Sequence, residues 1–180
     1  MPLIASYRTP ATRARLPELG RSVDAAAPAA ETAEWTRAAV ARGAAECDAL
    51  FVVGHHPLYS PGEHANSADL IAAYGAALEA AGADAYLAGH DHILAHSRTP
   101  AGGVEHVLTG AGSEVRPELV RDAGTTRFVA TARGFTVHSV NATHAAHSYV
   151  WSGAAGAGGA PGRLVFQVVR PLRAKAGRGG

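Results

Sequence analysis

Histidine carries the clearest chemical signal in this 180-residue chain, which has ten histidines against one cysteine and one methionine. The segment Gly89-His90-Asp91-His92 places two imidazoles one residue apart. On a bend after a strand, the two rings can point to one metal ion or to two adjacent ions. We expect the glycine to keep a Cβ from crowding the ligand. Taken alone, the segment equally fits a polar turn in which the histidines are incidental.

A second pair of histidines, His55 and His56, follows Val52-Val53-Gly54 and precedes Pro57. Proline biases the residue before it towards extended backbone, so the two imidazoles should point in different directions and only one need bind a metal. For His56, packing within the loop is as good an interpretation as a functional role. Asp91 either orients a neighbouring imidazole or faces solvent.

Both histidine groups follow predicted buried strands, at residues 49–53 and 85–88, and each strand ends at a glycine. Helices are predicted over residues 28–45 and from Asn66 or Ser67 to Gly82. This alternation is the β-α-β pattern of a parallel sheet. The carboxyl ends of parallel strands meet at one edge of the sheet, where α/β proteins bind their ligands. His55 and His90 should therefore lie close together.

Beyond residue 92 the pattern changes to short alternating segments that predict antiparallel strands, at residues 93–97, 104–108, 135–140, 146–151 and 164–169. The fold class is therefore α/β, with α+β character at the C-terminus. Residues 1–27 contain three prolines and no clear apolar period, which predicts an irregular segment. Residues 28–173 should form the folded part, and residues 174–180 a mobile tail.

The composition excludes several classes of protein. Sixteen basic residues against 15 acidic ones argue against a nucleic-acid or polybasic membrane protein, because both need concentrated positive charge. No apolar run approaches the ~20 residues that span a bilayer, and residues 1–8 lack the order of a signal peptide. The single cysteine, Cys47, cannot form an internal disulfide. The compartment stays undetermined.

Four motifs, in this order, resemble those of a known family. They are Val52-Val53-Gly54-His55 with His56-Pro57, Glu63-His64, Gly89-His90-Asp91-His92, and Leu108-Thr109-Gly110-Ala111-Gly112. They look like the consecutive C-terminal motifs of the purple acid phosphatases, and above all of the tartrate-resistant type within the calcineurin-like metallophosphoesterases. The resemblance implies half of a four-layer α/β sandwich, with a β-α-β unit followed by antiparallel strands.

The resemblance also implies a reaction and a set of site residues. Members of this family hold a binuclear metal centre, iron with iron, zinc or manganese, and hydrolyse phosphate monoesters by attack of a metal-bound hydroxide. By similarity, His55 and His90 bind the divalent metal and His92 the ferric one. His64 contacts the substrate, and either stabilises the transition state or protonates the leaving group. The substrate is then a small phosphomonoester or a phosphoprotein. Family members are often secreted or lysosomal.

The chain also departs from the family's pattern. The N-terminal Asp-x-Gly, Gly-Asp-x-x-Tyr and Gly-Asn-His blocks, which supply the bridging carboxylate and other ligands, do not occur in it. By resemblance the chain begins inside the domain, and a missing N-terminal half becomes a potential partner. With two ligands left for the divalent metal and one for the ferric metal, we expect the isolated chain to lack phosphatase activity. Where the missing half would dock, we expect an unpaired edge of the parallel sheet that exposes hydrophobic surface.

Three alternatives remain. The first is a non-enzymatic fragment or pseudoenzyme with residual metal binding, favoured by the missing motifs. The second is a phosphodiesterase or nucleotidase of the same superfamily, although Glu63-His64 and the antiparallel C-terminal segments favour the acid phosphatase branch. The third, a histidine-rich metal-buffering module, ranks last because such a module would repeat its histidines in a tract.

Overall fold

The strands form two sheets. In the computed structural model, which describes residues 4–5, 27–99, 102–116, 124–153 and 162–172, the first sheet has six strands and the second has three. The strands of the first sheet are β1 (Ile4–Ala5), β2 (Phe51–Val53), β3 (Ala85–Ala88), β4 (Leu94–Ser97), β5 (Glu105–Thr109) and β6 (Thr126–Ala130). Those of the second are β7 (Gly134–Val140), β8 (His144–Trp151) and β9 (Arg163–Pro171).

The order of strands in the first sheet is β1-β2-β3-β5-β4-β6. The first four in this order run parallel, and β4 lies antiparallel between β5 and β6. The second sheet, in the order β7-β8-β9, is antiparallel throughout. The predicted α/β class is confirmed, with a β-α-β unit followed by antiparallel strands.

Two strands were not predicted from the sequence. β1 lies in the segment predicted to be irregular and pairs Ile4 with Val52; two residues are too few to show a period. β6 is half-exposed along most of its length, so its apolar alternation is weak. Residues 1–3 and 6–26 and the predicted tail at 174–180 lie outside the described residues.

A 20-residue helix, α1 (Ala27–Glu46), packs on the first sheet through Thr36, Ala39, Val40 and Gly43. These residues follow the i, i+3, i+4, i+7 spacing of one helical face. Trp35, next to Thr36 in the sequence, lies outside this face and is 50% exposed. A Cβ on Gly43 would lie 2.7 Å from Leu50 Cδ1, so the small residue lets the helix approach the sheet closely.

The second predicted helix is interrupted. It consists of α2 (Ala68–Leu70), a π-helical turn (Ile71–Gly75) and α3 (Ala76–Ala81). The Ser67 side chain caps its start by accepting from the Leu70 amide at 3.4 Å. Gly82 ends it with φ of 56°, a left-handed conformation that favours glycine, as predicted. The π turn has no evident signal in the sequence. No described helix is long and apolar enough to cross a bilayer.

Separate apolar clusters cover the two faces of the first sheet. The cluster between sheet and helices includes Val40, Leu50, Leu58, Leu78 and Ile93. The cluster between the two sheets includes Leu94, Val107 and Tyr149, with Phe128 and Phe166 stacked at 4.5 Å. Packing on both faces holds the strand ends that carry the site in fixed positions.

A buried polar network also joins the two sheets. His96 Nε2 on β4 lies 2.7 Å from Glu105 Oε2 on β5, and His96 Nδ1 lies 3.0 Å from the Tyr149 hydroxyl on β8. Arg170 on β9 pairs with the other oxygen of Glu105. Glu105 is buried, but His96 and Arg170 together hold its pKa below the ordinary value. Each charged or polar group in this network therefore has a partner.

Large apolar side chains are nevertheless exposed, mainly on the second sheet: Phe135, Val137, Val140, Leu164 and Val169. Hydrophobic surface was expected at an unpaired edge of the parallel sheet. These exposed apolar side chains lie on β7 and β9. β1 is the edge strand of the parallel part of the first sheet and pairs with β2 on one side, so the expectation for this edge stays a prediction.

Candidate metal centre

The two predicted strand ends meet as expected. β2 and β3 are adjacent and parallel, with Val52 opposite Tyr86. Beyond the strands, the Gly54 amide donates to the Leu87 carbonyl at 3.0 Å and the Gly89 amide to the His55 carbonyl at 3.1 Å. These two bonds extend the pairing into the loops and fix the backbone on which His55 and His90 stand.

His55 and His90 approach each other with their ring nitrogens, His55 Nε2 lying 3.1 Å from His90 Nδ1. A tetrahedral Zn²⁺ with nitrogen ligands at about 2.0–2.1 Å holds neighbouring nitrogens roughly 3.3–3.4 Å apart. The pair is thus already close to the spacing that one cation requires. His90 has φ of 71°, a left-handed conformation that is strained for histidine. Strain of this kind is typical of functional sites.

His56 belongs to the same cluster. Its ring plane is nearly perpendicular to that of His55, at 89°, with the two ring centres 4.8 Å apart. It nevertheless lies 4.2 Å from the His90 ring, and His55, His56 and His90 each offer a nitrogen within 4.8 Å of the other two. Burial, with a further contribution from neighbouring histidines, lowers the pKa of both His56 and His90. A lowered pKa favours the neutral imidazole that a metal needs.

His64 is held by Asp91. The Asp91 side chain is buried, and its Oδ1 contacts Nδ1 of His64 and accepts from the His64 amide at 3.3 Å. The Ser60 hydroxyl donates to Asp91 Oδ2. Of the two interpretations left open for Asp91, the solvent-facing turn is wrong. The imidazole it orients is that of His64, which comes from another loop, and not a neighbour in its own motif.

His92 does not join His55 and His90. It is absent from both groups that bring three potential ligands within 4.8 Å, the second of which is His64, His90 and Asp91. His92 Nδ1 lies 3.2 Å from Glu114 Oε2, within ion-pair distance, but in a geometry that makes no hydrogen bond. This buried nitrogen without a hydrogen-bond partner among the described residues can serve as a ligand for a second cation.

Comparison with known proteins agrees with these motifs. The chain is 40% identical to tartrate-resistant acid phosphatase type 5 of Rattus norvegicus over 76 residues, which are 42% of this chain and 23% of the relative. It is 38% identical to purple acid phosphatase 4 of Arabidopsis thaliana over 63 residues, 35% of this chain and 19% of the relative. The chain is related to the purple acid phosphatases. It spans about a quarter or less of the length of these relatives, and no family model matches it.

Solved structures show the same fold. GAP50, the anchor in the inner membrane complex of Plasmodium, superposes with a TM-score of 0.72 at 21% identity over 81% of this chain and 43% of that one. Purple acid phosphatase PPD1 from yellow lupin, Lupinus luteus, gives 0.56 at 15% identity, over 72% and 27%. The architecture of this chain is therefore that of the metallophosphoesterase fold.

The glycines of the motifs also matter for packing. Gly89, expected to make room for a ligand, has no described atom within 4 Å of where a Cβ would lie. A Cβ on Gly54 would overlap the Tyr86 hydroxyl, which donates to the His56 carbonyl at 2.9 Å. One on Gly110 would overlap the backbone oxygen of Asp91. Glycine at these positions lets the loops that carry His56 and Asp91 approach their neighbours.

A cavity of about 380 Å³ adjoins the histidine cluster, with His56, His64, His90, Ser67 and Leu70 among its lining residues. Beyond His92, Glu114 and Arg116 extend the polar surface, since Arg116 pairs with Glu114 at 3.2 Å and with Glu63 at 3.3 Å. Sequence reasoning missed both residues. The sequence signal for them is that a glutamate and an arginine follow the Gly110-Ala111-Gly112 motif, two and four positions after Gly112.

The donor set fits the binuclear centre of purple acid phosphatases only in part. His55 and His90 fit one cation, and His92 offers a nitrogen nearby in the sequence. Among the described residues, Asp91 is the only carboxylate in either group of three, and it already bonds to Ser60 and His64. A ferric ion prefers oxygen ligands, whereas imidazoles alone suit zinc or copper.

Proposed function

We propose that this chain contributes one part of a di-metal acid phosphatase site for phosphate monoesters. The observation that carries the proposal is the 3.1 Å approach of His55 Nε2 and His90 Nδ1 at the carboxyl ends of neighbouring parallel strands. The relatives' names supply the reaction class. The proposed substrate is a small phosphomonoester or a phosphoprotein, with neither nucleic acid nor membrane as partner.

Within this proposal, His55 and His90 hold a divalent cation and His92 contributes to the second position. A bound pair of cations would neutralise charge on the phosphate and lower the pKa of water. Residues of this chain fix the positions of the imidazoles that would hold the cations. The left-handed backbone at His90 and the amide of Gly89 on the His55 carbonyl fix where the two imidazoles stand.

His64 is proposed to deliver the proton to the leaving oxygen. A hydrogen on Nδ1 is retained by the Asp91 carboxylate, so Nε2 is the atom that gives up or takes a proton during the reaction. The His64 ring lies 4.1 Å from the His90 ring. The adjoining cavity, lined partly by Leu70 and Pro57, would accept the alcohol portion of the ester.

We further propose that this chain by itself binds metal without turning over substrate, and needs a partner carrying the missing N-terminal motifs. The histidine-only character of the His55, His56 and His90 group supports this, because no carboxylate there bridges two cations. The same observation favours a second candidate, a non-enzymatic protein that keeps metal binding.

Metal binding is tested by titrating the purified chain with Zn²⁺ by calorimetry. We expect His55→Ala and His90→Ala each to weaken binding by about tenfold or more, because each removes one ligand. His144→Ala, at an exposed position on β8, is the matched control and should bind as the unmodified chain does. Equal affinity in all four proteins would contradict the proposed site.

Catalysis is tested with p-nitrophenyl phosphate and bis(p-nitrophenyl) phosphate. The isolated chain should show no turnover that a chelator removes. After addition of a polypeptide carrying the N-terminal motifs, monoester turnover should appear and should be lost in His64→Ala. Preference for the diester would move the assignment to a phosphodiesterase. If no turnover appears while Zn²⁺ binds, the non-enzymatic candidate stands.

A further inference from the structure

A second cavity, of about 530 Å³, lies where the two sheets meet. It is lined by residues at the ends of strands, among them Leu94 at the start of β4, Ala130 at the end of β6, Trp151 at the end of β8 and Arg163 at the start of β9. Val115 also lines it, and Glu114, the residue before Val115, contacts His92. The cavity is therefore close in the fold to the metal motifs, yet it shares no lining residue with the histidine cluster.

The walls of this cavity are apolar and tied together by backbone bonds. Leu94 is fully buried, and Trp151 is 9% exposed. The Gly134 amide donates to the Ala111 carbonyl at 3.2 Å and the Ser152 amide to the Arg133 carbonyl at 2.9 Å. Its volume falls within the range of about 300–1,000 Å³ that is typical of sites for small ligands. The cavity is thus preformed and large enough for an aromatic ring.

The only charged residues that line it are two arginines, Arg133 and Arg163. The Arg163 guanidinium carbon lies 5.7 Å from the centre of the Trp151 ring, within cation–π distance. Arg98, Arg116 and Arg170 each pair with a carboxylate. Within the described part of the chain, neither Arg133 nor Arg163 does so. Two cations without a carboxylate partner beside an apolar cavity favour an anionic ligand.

We propose that this cavity binds a small aromatic anion, such as an aryl phosphonate or aryl phosphate. The ring packs against Trp151, Val115 and Val165, which line the cavity, and the anionic group binds the guanidinium groups of Arg133 and Arg163. Arginine suits this task because its planar fork donates two parallel hydrogen bonds to a phosphoryl or carboxylate group. The site is distinct from the histidine cluster and does not depend on metal.

The test uses the fluorescence of Trp151 in a Trp35→Phe background, because the chain has two tryptophans and Trp35 is half exposed on α1. Titration with phenylphosphonate should change the fluorescence with saturation. Arg133→Gln and Arg163→Gln should each raise Kd about tenfold, since each removes a charge-assisted contact. Arg127→Gln, at an exposed position on β6 outside the cavity, makes the same change in net charge and should leave Kd unchanged. Benzyl alcohol, which lacks the anion, should bind more weakly.

The inference is overturned if neither arginine variant changes Kd, or if Arg127→Gln weakens binding equally. The same titration in His55→Ala distinguishes a failure of this inference from a failure of the proposed phosphatase function. If binding disappears there and persists in the arginine variants, the anion occupies the histidine cluster, and the inference fails while the proposed function stands. If binding of the anion depends on the two arginines while the chain does not bind Zn²⁺, the inference stands and the proposed function fails. Circular dichroism of each variant confirms that it is folded.

Discussion

Acid should destabilise this fold through two buried histidines, and His106 allows the effect to be measured. His106 on β5 is 5% exposed, its ring lies 4.6 Å from that of Tyr59, and its Nδ1 has no hydrogen-bond partner among the described residues. Burial lowers its pKa to about 4. Burial likewise lowers the pKa of His147, on β8, to about 4.

The direction follows from proton binding. Unfolded histidine has a pKa of about 6.5, so between pH 6.5 and 4 the unfolded chain binds more protons than the folded one. The stability that neutral His106 allows is present above pH 6.5 and is lost as the pH falls towards 4. With these two pKa values, each buried histidine lowers the free energy of unfolding by about 2 kcal/mol between pH 7.5 and pH 5.0.

Urea unfolding followed by circular dichroism at these two pH values measures the loss. His106→Leu should remove about 2 kcal/mol of the difference between them, whatever it does to stability at pH 7.5. Val107→Ala, one residue further along β5, removes buried methyl groups without a titrating group, so it should lower stability equally at both pH values. If His106→Leu keeps the whole pH difference of the unmodified chain, the assignment of a buried neutral His106 is wrong.

Three further predictions concern the candidate metal centre. Gly110→Ala should destabilise the chain by about 2 kcal/mol or more in urea unfolding, because its Cβ would overlap the Asp91 backbone, while Gly112→Ala, with no described atom within 4 Å, should be near neutral. Asp91→Asn should cost about 1–3 kcal/mol and broaden the His64 ring signals in NMR, since it weakens the bonds to Ser60 and His64; unchanged signals would show that His64 is held otherwise. Zn²⁺ at about 100 times its Kd should raise stability by about 2.7 kcal/mol, an effect that a chelator reverses. At the same Zn²⁺ concentration, a tenfold loss of affinity in His90→Ala should reduce the gain to about 1.4 kcal/mol.

A contact in the site could be predicted from the sequence only where a local sequence pattern determines it. The apolar runs before Gly54 and Gly89 predicted strands, and the parallel pairing of β2 with β3 then brings His55 and His90 together. That step needs only local pattern and the geometry of parallel sheets. The approach of the two histidines, 35 positions apart in the chain, was therefore predictable.

Other contacts have no local pattern. Asp91 lies between two histidines in the sequence but bonds to His64, 27 positions away, because the loop containing Ser60 and Gly62 packs over it. A Cβ on Gly62 would lie 2.7 Å from Asp91 Oδ2, so this packing depends on a residue outside the motifs. His92 likewise turns to Glu114, from the loop after β5. Such pairings depend on how the loops pack against one another, and the hydrophobic periodicity of the sequence does not predict that packing.

The metal preference of the cluster follows from how its imidazoles are held. Asp91 and Ser60 position His64, and the backbone around Gly54 and Gly89 positions His55 and His90, in each case through groups of the protein. The histidine arrangement therefore does not need a bridging carboxylate to form, although a ferric centre would need oxygen ligands to bind. The expected consequence is that this chain binds zinc in preference to ferric iron, and that the proposed phosphatase chemistry depends on carboxylates supplied from elsewhere.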